Sequence, residues 1–260
     1  MKYKSEFKFA KHLIKLARQE IMPHFQSNLK IDIKTDNSPV TIADKNAEEA
    51  MRTAIEKETP QYGIIGEEFG DKNGKVTHQW VIDPIDGTKS FIHGVPLFGT
   101  LLALMKGDQP ILGFIALHAL NIVVWAIKDQ GCYVNEQLCH VSNVHSLSKA
   151  TLLDGSTTTM EKMNFSEPWK KLRSQAELAR GWGDCFGYYL VATGKAEVMA
   201  DPIAEVWDLA PMSIIIPEAG GIFSSITGGN YRLDKSGLAT NGLFHQNIVN
   251  TFTAYQKTSI

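Results

Sequence analysis

Cysteine is scarce in this chain. Three occur in 260 residues, Cys132, Cys139 and Cys185, and none stands in a CxxC pair. An odd count without that spacing argues against a disulfide framework or a structural zinc site and favours a reducing compartment. Net charge is nearly absent too: 26 Lys and Arg against 28 Asp and Glu leave −2, with a pI of about 6.4. There is no basic footprint for nucleic acid and no block of one sign that reads as a tail. Long apolar runs are also missing. The opening MKYKSEFKFAKHLIKLARQE has no uninterrupted apolar core of the kind a signal peptide needs, and no later stretch is long enough for a membrane span. A cytoplasmic protein with no membrane and no nucleic-acid partner is expected. The eight histidines form no HxxxH pair, and no GxGxxG follows a strand pattern. The segment Gly70 to Val76 is one residue short of a P-loop and places Val76 where a Mg²⁺-binding hydroxyl would stand, so Asn73-Gly74 reads as a turn.

What is present is ordinary globular composition, 43% hydrophobic and 21% charged, enough for one large domain or two lobes sharing a core. Phe7 to Ile21 has helical spacing, with Leu13, Ile14, Ala17 and Ile21 on one face and Pro23 as the stop. A polar loop is expected from Lys34 to Asp44, then a second helix carrying Ala47, Ala50, Met51, Ala54 and Ile55. Tyr62 to Ile65 reads as a short strand running into Gly66-Glu67-Glu68. From Phe98 to about Val141, apolar β-branched runs divided by turn signals predict an antiparallel meander. Beyond residue 145 helices and strands alternate, which predicts an α/β lobe. There a helix from Asp184 to Thr193 ends at Gly194, and another starts near Asp208, bent by Pro217. The reading is an α+β lobe over residues 1–145 and a smaller α/β lobe over 146–260.

The chemistry concentrates in VIDPIDGTKSF, Val81 to Phe91. Asp83 and Asp86 end a buried strand around a proline. Glu67 also follows an apolar run, and Asp208 opens a helix. If these four converge, their repulsion persists only where cations offset it or protons neutralise it. Oxygen donors without His or Cys point to a hard ion, Mg²⁺ before Zn²⁺. The proline stiffens the turn so that the carbonyl of Ile85 can face that ion. Gly87-Thr88 opens a helical turn whose backbone N–H groups suit an anion. Metal beside an anion cradle is the arrangement for phosphate-ester chemistry. Singly, each motif is more ordinary: DxxDG is a common exposed turn, Asp208 a common N-cap, and Glu67-Glu68 a common solvated pair. The joint pattern carries the argument.

That pattern resembles the inositol monophosphatase family. SPVTIAD, IIGEEFG, WVIDPIDGTKSF and WDLAPMSIIIPEAGG match its signatures in order and spacing, over about Lys34 to Ile222. The resemblance implies a layered αβαβα sandwich and a Mg²⁺-dependent, lithium-sensitive phosphomonoesterase, usually a homodimer, with two or three Mg²⁺ per site. It implies Glu67, Asp83, Asp86, Asp208 and the Ile85 carbonyl as metal ligands. It further implies Asp44 and Thr88 as the pair orienting the water, Asp44 accepting from the threonine hydroxyl, and the backbone of Gly87 and Thr88 as holders of phosphate oxygens.

One stretch departs from the inositol-directed pattern. Arg180-Gly181-Trp182-Gly183-Asp184-Cys185 has Gly-Asp-Cys where a serine usually follows the glycine. This resembles the branch acting on L-histidinol phosphate. The swap has a physical sense, because histidinol carries an ammonium group and a titratable imidazole, which carboxylates meet best. Asp184 and Asp201 are the candidates, with Arg180 as a buttress or a phosphate contact. A helix N-cap role for Asp184 and a strand-end turn role for Asp201 stay open. Cys185 reads as a small buried hydrophobe and not a nucleophile; His93 reads as a surface loop residue, and Trp80, Trp125 and Trp207 as core. The expected partner is a small phosphate monoester. An inositol-1-phosphate or broad sugar-phosphate phosphatase is the alternative, and a non-catalytic scaffold of the same fold the remote one.

Overall fold

The computed structural model describes residues 3–27, 31–33, 39–72 and 77–258. Part of the loop expected after Lys34, and the turn expected at Asn73-Gly74, lie outside them. Helix α1, Lys4–Ile21, buries Ala10, Leu13, Ile14, Ala17 and Ile21, the stripe that the sequence spacing requires. Strands β1 (Ile31–Ile33) and β2 (Pro39–Thr41) pair antiparallel. Helix α2, Ile42–Glu58, starts at once, capped by Thr41, whose hydroxyl accepts from the N–H of Ala43. Asp44 therefore lies in the first turn of a helix and not in the polar loop expected for it. Its carboxylate reaches back to the Thr41 N–H, closing a capping box.

The large sheet contains β3 (Gly63–Gly66), β4 (Gly70–Lys72), β5 (His78–Asp86), β6 (Gly99–Lys106), β7 (Gln109–Leu117), β8 (Ile122–Ile127), β9 (Cys132–Val134) and β10 (Gln137–Cys139). The short helix α3, Thr88–Ile92, follows β5. The strand order is β10-β9-β8-β7-β6-β5-β3-β4. The expected meander is the run β6 to β10, each strand antiparallel to the next. Among the described residues, only the β3–β5 pair in this sheet is parallel.

The second sheet has order β12-β11-β13-β15-β14. Its strands are β11 (Thr151–Asp154), β12 (Leu178–Arg180), β13 (Val198–Asp201), β14 (Ile222–Ser224) and β15 (Gly237–Thr240). The helices among them are α4 (Thr157–Lys162), α5 (Ser166–Gln175), α6 (Asp184–Ala192), α7 (Val206–Leu209), α8 (Met212–Glu218), α9 (Tyr231–Asp234) and α10 (His245–Thr258). The single helix expected near Asp208 is divided into α7 and α8. Its break is at Pro211, not Pro217. Ala210 and Pro211 keep helical angles, but Pro211 has no N–H to donate, so the ladder is interrupted there. Pro217 is the next-to-last residue of α8, where an early end costs little.

Strand alternation sorts the side chains into layers. On β6, Leu102 and Leu104 pack with α1 and α2 residues such as Leu13 and Met51, while Leu101 faces a core shared with Tyr188, Val191 and Ile215 of α6 and α8. On β13, Met199 joins that middle core, while Val198 and Ala200 pack with Trp169 and Phe252 of α5 and α10. The result is α1/α2, large sheet, α6/α8, small sheet, α5/α10: the five-layered αβαβα sandwich. Trp80 and Trp125 are buried in the first core, and Trp207 packs against the cluster around Val81. No helix among the described residues is long and apolar enough to cross a membrane.

Candidate active site

In a regular strand, residues three apart point to opposite faces. Asp83 and Asp86 escape this because β5 bulges between them. Asp83 pairs with Leu101 and Asp86 with Gly99, so Pro84 and Ile85 stand opposite Thr100 alone. The extra residue changes the parity and turns both carboxylates to one side. The Thr100 hydroxyl donates to the Pro84 carbonyl at 2.7 Å and lies 2.7 Å from His118 Nε2. Since that hydroxyl's one hydrogen goes to Pro84, His118 must donate through Nε2. Burial pushes the His118 imidazole down to about 3.

Asp208 arrives on α7, which packs directly against β5 and β6. It is the third residue of α7, and its Oδ2 accepts from the Glu205 N–H at 2.8 Å. Asp83, Asp86 and Asp208 each offer an oxygen within 4.8 Å of the other two. Two unit charges at 4.8 Å repel by roughly 3 kcal/mol at an effective dielectric of about 20. Burial, then the charges of Glu67, Asp86 and Asp208, push the Asp83 carboxyl well above its ordinary range. Burial, then Asp184 and Asp208, do the same to Asp86. Burial lifts Asp208 to about 7 against the Glu205 N–H, which lowers it. Glu67 is outside the three-way contact. It follows β3, its N–H donates to the Ile82 carbonyl at 3.3 Å, and its charge is felt on Asp83, Asp208 and Asp44.

The donors fit a hard divalent cation. They are all oxygens, they are crowded, and Asp83 Oδ1 is buried with no hydrogen-bond partner among the described residues. The second orphaned carboxylate oxygen is Asp44 Oδ1, since Oδ2 is taken by the Thr41 N–H and hydroxyl. Burial lifts the Asp44 carboxyl to about 6, opposed by those bonds. The expected bond from the Thr88 hydroxyl to Asp44 is not formed. Thr88 donates instead to the Ile85 carbonyl at 2.9 Å, because the tight turn brings that oxygen nearest. The carbonyl keeps a second lone pair for another partner.

Gly87 is the N-cap of α3 at φ 80°, ψ 36°, a conformation that favours glycine. A Cβ there would lie 3.0 Å from the Leu97 carbonyl and 3.3 Å from Asp184 Oδ2. Asp184 thus sits against the turn that follows the two aspartates. It is the first residue of α6, with Gly183 as N-cap, and its φ is +52°. The next residue's N–H, from Cys185, donates to Asp86 Oδ2. Burial pushes the Cys185 thiol far up, so it is an inert buried group, as expected.

Asp184 and Asp201 line two adjoining spaces. The smaller, about 60 Å³, also touches Asp86, Asp208 and Tyr188. The larger, about 340 Å³, opens past Lys89, Ser156, Thr159 and Ile203. Burial, then the charge of Asp184, pushes the Asp201 carboxyl well up. Burial raises Asp184 as well, against the opposing charge of Lys89. Arg180 is not brought to this site. It ends β12 with its side chain exposed and its Nη1 bonded to its neighbour's carbonyl, Ala179 O, because the strand carries it outward before the chain turns in at Gly181. His93 is on the surface, its Nδ1 2.8 Å from the Lys89 carbonyl. The sequence reading missed Lys89, Tyr188, Thr100 and His118. Only Lys89 carried a signal, being inside the quoted turn.

Three comparisons with known proteins agree. A model described as the inositol monophosphatase family matches residues 3–257. A histidinol-phosphatase of Chlorobaculum parvum is 39% identical over 223 residues, covering 85% of this chain and 86% of its own. One of Streptomyces coelicolor is 35% identical over 257 residues, covering 95% and 96%. A solved inositol monophosphatase of Zymomonas mobilis superposes with a TM-score of 0.87 at 31% identity, covering 98% of this chain and 99% of that one. Fold, site and likeness together define a phosphoric monoester hydrolase. The chain belongs to the inositol monophosphatase family, whose members use metal ions.

Proposed function

We propose that this phosphatase hydrolyses L-histidinol phosphate to L-histidinol and phosphate, a step of histidine biosynthesis, with Mg²⁺ bound by Glu67, Asp83, Asp86, Asp208 and the Ile85 carbonyl. Two or three ions per site, a cytoplasmic location and a homodimer complete the reading. Bound Mg²⁺ would supply Lewis acidity at the phosphate and lower the pKa of a water. The residues do the rest. Asp44, with one carboxylate oxygen uncommitted, accepts a proton from the attacking water. Thr88 directs that water through its hydroxyl once a ligand draws it off Ile85. The backbone of Gly87 and Thr88 holds phosphate oxygens.

The observation that carries the substrate choice is the second acidic pair. Asp184 and Asp201 line the space next to the metal carboxylates as well as the wider cleft beyond. Two carboxylates in a cleft favour a cationic alcohol over a neutral one, since an unpaired buried charge is costly. The likeness to named histidinol-phosphatases supports the same choice. Lys89, facing Asp184, stands where it can meet the phosphate.

The test is phosphate release from L-histidinol phosphate and inositol 1-phosphate, side by side in Mg²⁺. A kcat/KM preference for histidinol phosphate is expected. A preference for inositol phosphate, or equal rates on sugar phosphates, would replace it with the broader phosphatase reading. No release from any monoester would leave a scaffold with this fold.

A further inference from the structure

Helix α2 carries a second buried acid. Glu48 stands four residues beyond Asp44, one helical turn on, and is fully buried. A charged side chain in that position must be matched by partners. Glu48 has three. It accepts from Arg52 Nε at 2.7 Å, from the Glu68 N–H at 2.8 Å and from the Phe69 N–H at 3.2 Å. Arg52 then reaches over the same segment and donates through Nη2 to the Gly70 carbonyl. Gly66 completes the contact: a Cβ on it would lie 2.1 Å from Glu48 Oε1. The bare glycine lets the carboxylate press against the chain.

Glu67 is between these contacts. Gly66 packs on Glu48, Glu68 and Phe69 are bonded to it, and Gly70 is bonded to Arg52. From this geometry we infer that the Glu48–Arg52 pair is a positioning device for the Glu67 carboxylate, holding the 66–70 segment so that Glu67 faces Asp83. The inference rests on the proposed role of Glu67 as a metal ligand. Outer partners of this kind set how well a ligand is presented, and their loss weakens metal binding by about 10- to 100-fold. The same helix thereby presents Asp44 to the site directly and Glu67 through Glu48.

The experiment is calorimetric titration of Mn²⁺ into metal-free wild type, Glu48→Gln and Arg52→Gln, with thermal unfolding of each. Glu48→Gln keeps the shape but replaces one accepting oxygen with an NH2 that faces a donor in either orientation, Arg52 and the Phe69 N–H or the Glu68 N–H. Its Mn²⁺ dissociation constant should rise about 10- to 100-fold, and its Glu68 and Phe69 amides should exchange faster in the metal-free protein. Arg52→Gln should move in the same direction by less; it carries the test if Glu48→Gln does not fold. At saturating metal both variants should keep the wild-type KM, since neither touches the cleft. Unchanged Mn²⁺ affinity in folded variants, with only a lower melting temperature, would overturn the inference and leave the metal reading standing. A wild type that binds no Mn²⁺ would overturn both.

Discussion

The peptide N–H of Cys185 donates to the carboxylate of Asp86, 99 residues earlier in the chain. That bond joins the start of α6 to the end of β5. It brings Asp184, one residue before Cys185, against the turn that follows Asp83 and Asp86. The proposed substrate carboxylate and the proposed metal ligands are thereby tied to each other, in part through this backbone contact. The left-handed φ of +52° at Asp184 is what lets the side chain turn back toward Gly87 while the next N–H reaches Asp86.

Asp184→Asn separates charge from conformation. Asparagine tolerates the left-handed region about as well as aspartate, so the backbone should stay. Loss of the carboxylate should lower kcat/KM for histidinol phosphate by about 10- to 100-fold, the value of a charged hydrogen bond. A neutral ester should be affected far less. Parallel kinetics on the two esters measure this, and equal losses would assign Asp184 to the helix start alone.

Asp83→Asn should act in opposite directions on activity and on metal-free stability. It removes a ligand, so kcat should fall by orders of magnitude. It also removes repulsion with Asp86 and Asp208, each pair costing roughly 3 kcal/mol when charged. Melting in a chelator should therefore rise above wild type, while the gain on adding Mg²⁺ should shrink. Near wild-type turnover would contradict the ligand role.

The pH dependence of metal stabilisation follows from Asp208. Its carboxyl is lifted by burial to about 7, above the unfolded value, so the native state without metal binds the extra proton. Its contribution to metal-free stability is present below about pH 4 and is lost as pH rises toward 7. Cation binding needs the deprotonated form. The increase in melting temperature produced by Mg²⁺ should then grow from pH 5 to pH 8. A constant increment across that range would contradict the arrangement.

His118 has the reverse sign. Its folded value, about 3, lies below the unfolded 6.5, so the unfolded chain takes up the proton first. Its share of stability is present above about pH 6.5 and is lost as pH falls toward 3, at about 1.4 kcal/mol per unit. Urea unfolding of His118→Gln against wild type should show a flatter loss of stability between pH 6.5 and pH 4.

Much of this was legible in the sequence because apolar spacing and turn residues act locally. The stripe of α1, the meander from Gly99 to Cys139 and the turn at Gly87 all follow from neighbours in the chain. Legibility failed where distant contacts decide. Asp83 and Asp86 look mis-spaced for one face until the bulge opposite Thr100 is seen. Asp44 reads as loop because its helix start depends on Thr41. Glu48 carries no signal in the sequence, and only the fold shows it buried under a strand end. In the Asp208 segment the bend expected at Pro217 falls at Pro211 instead, because the earlier proline already removes a donor from the ladder.

The gathering of the acids around a cation is most directly tested by the anomalous signal of Mn²⁺ in crystals of the protein. Peaks should stand among Asp83, Asp86 and Asp208, with carboxylate oxygens at about 2 Å, the spacing of a small hard ion. A peak also touching Glu67 would place the second ion. Crystals saturated with Mn²⁺ that show no peak among these three aspartates would contradict the account.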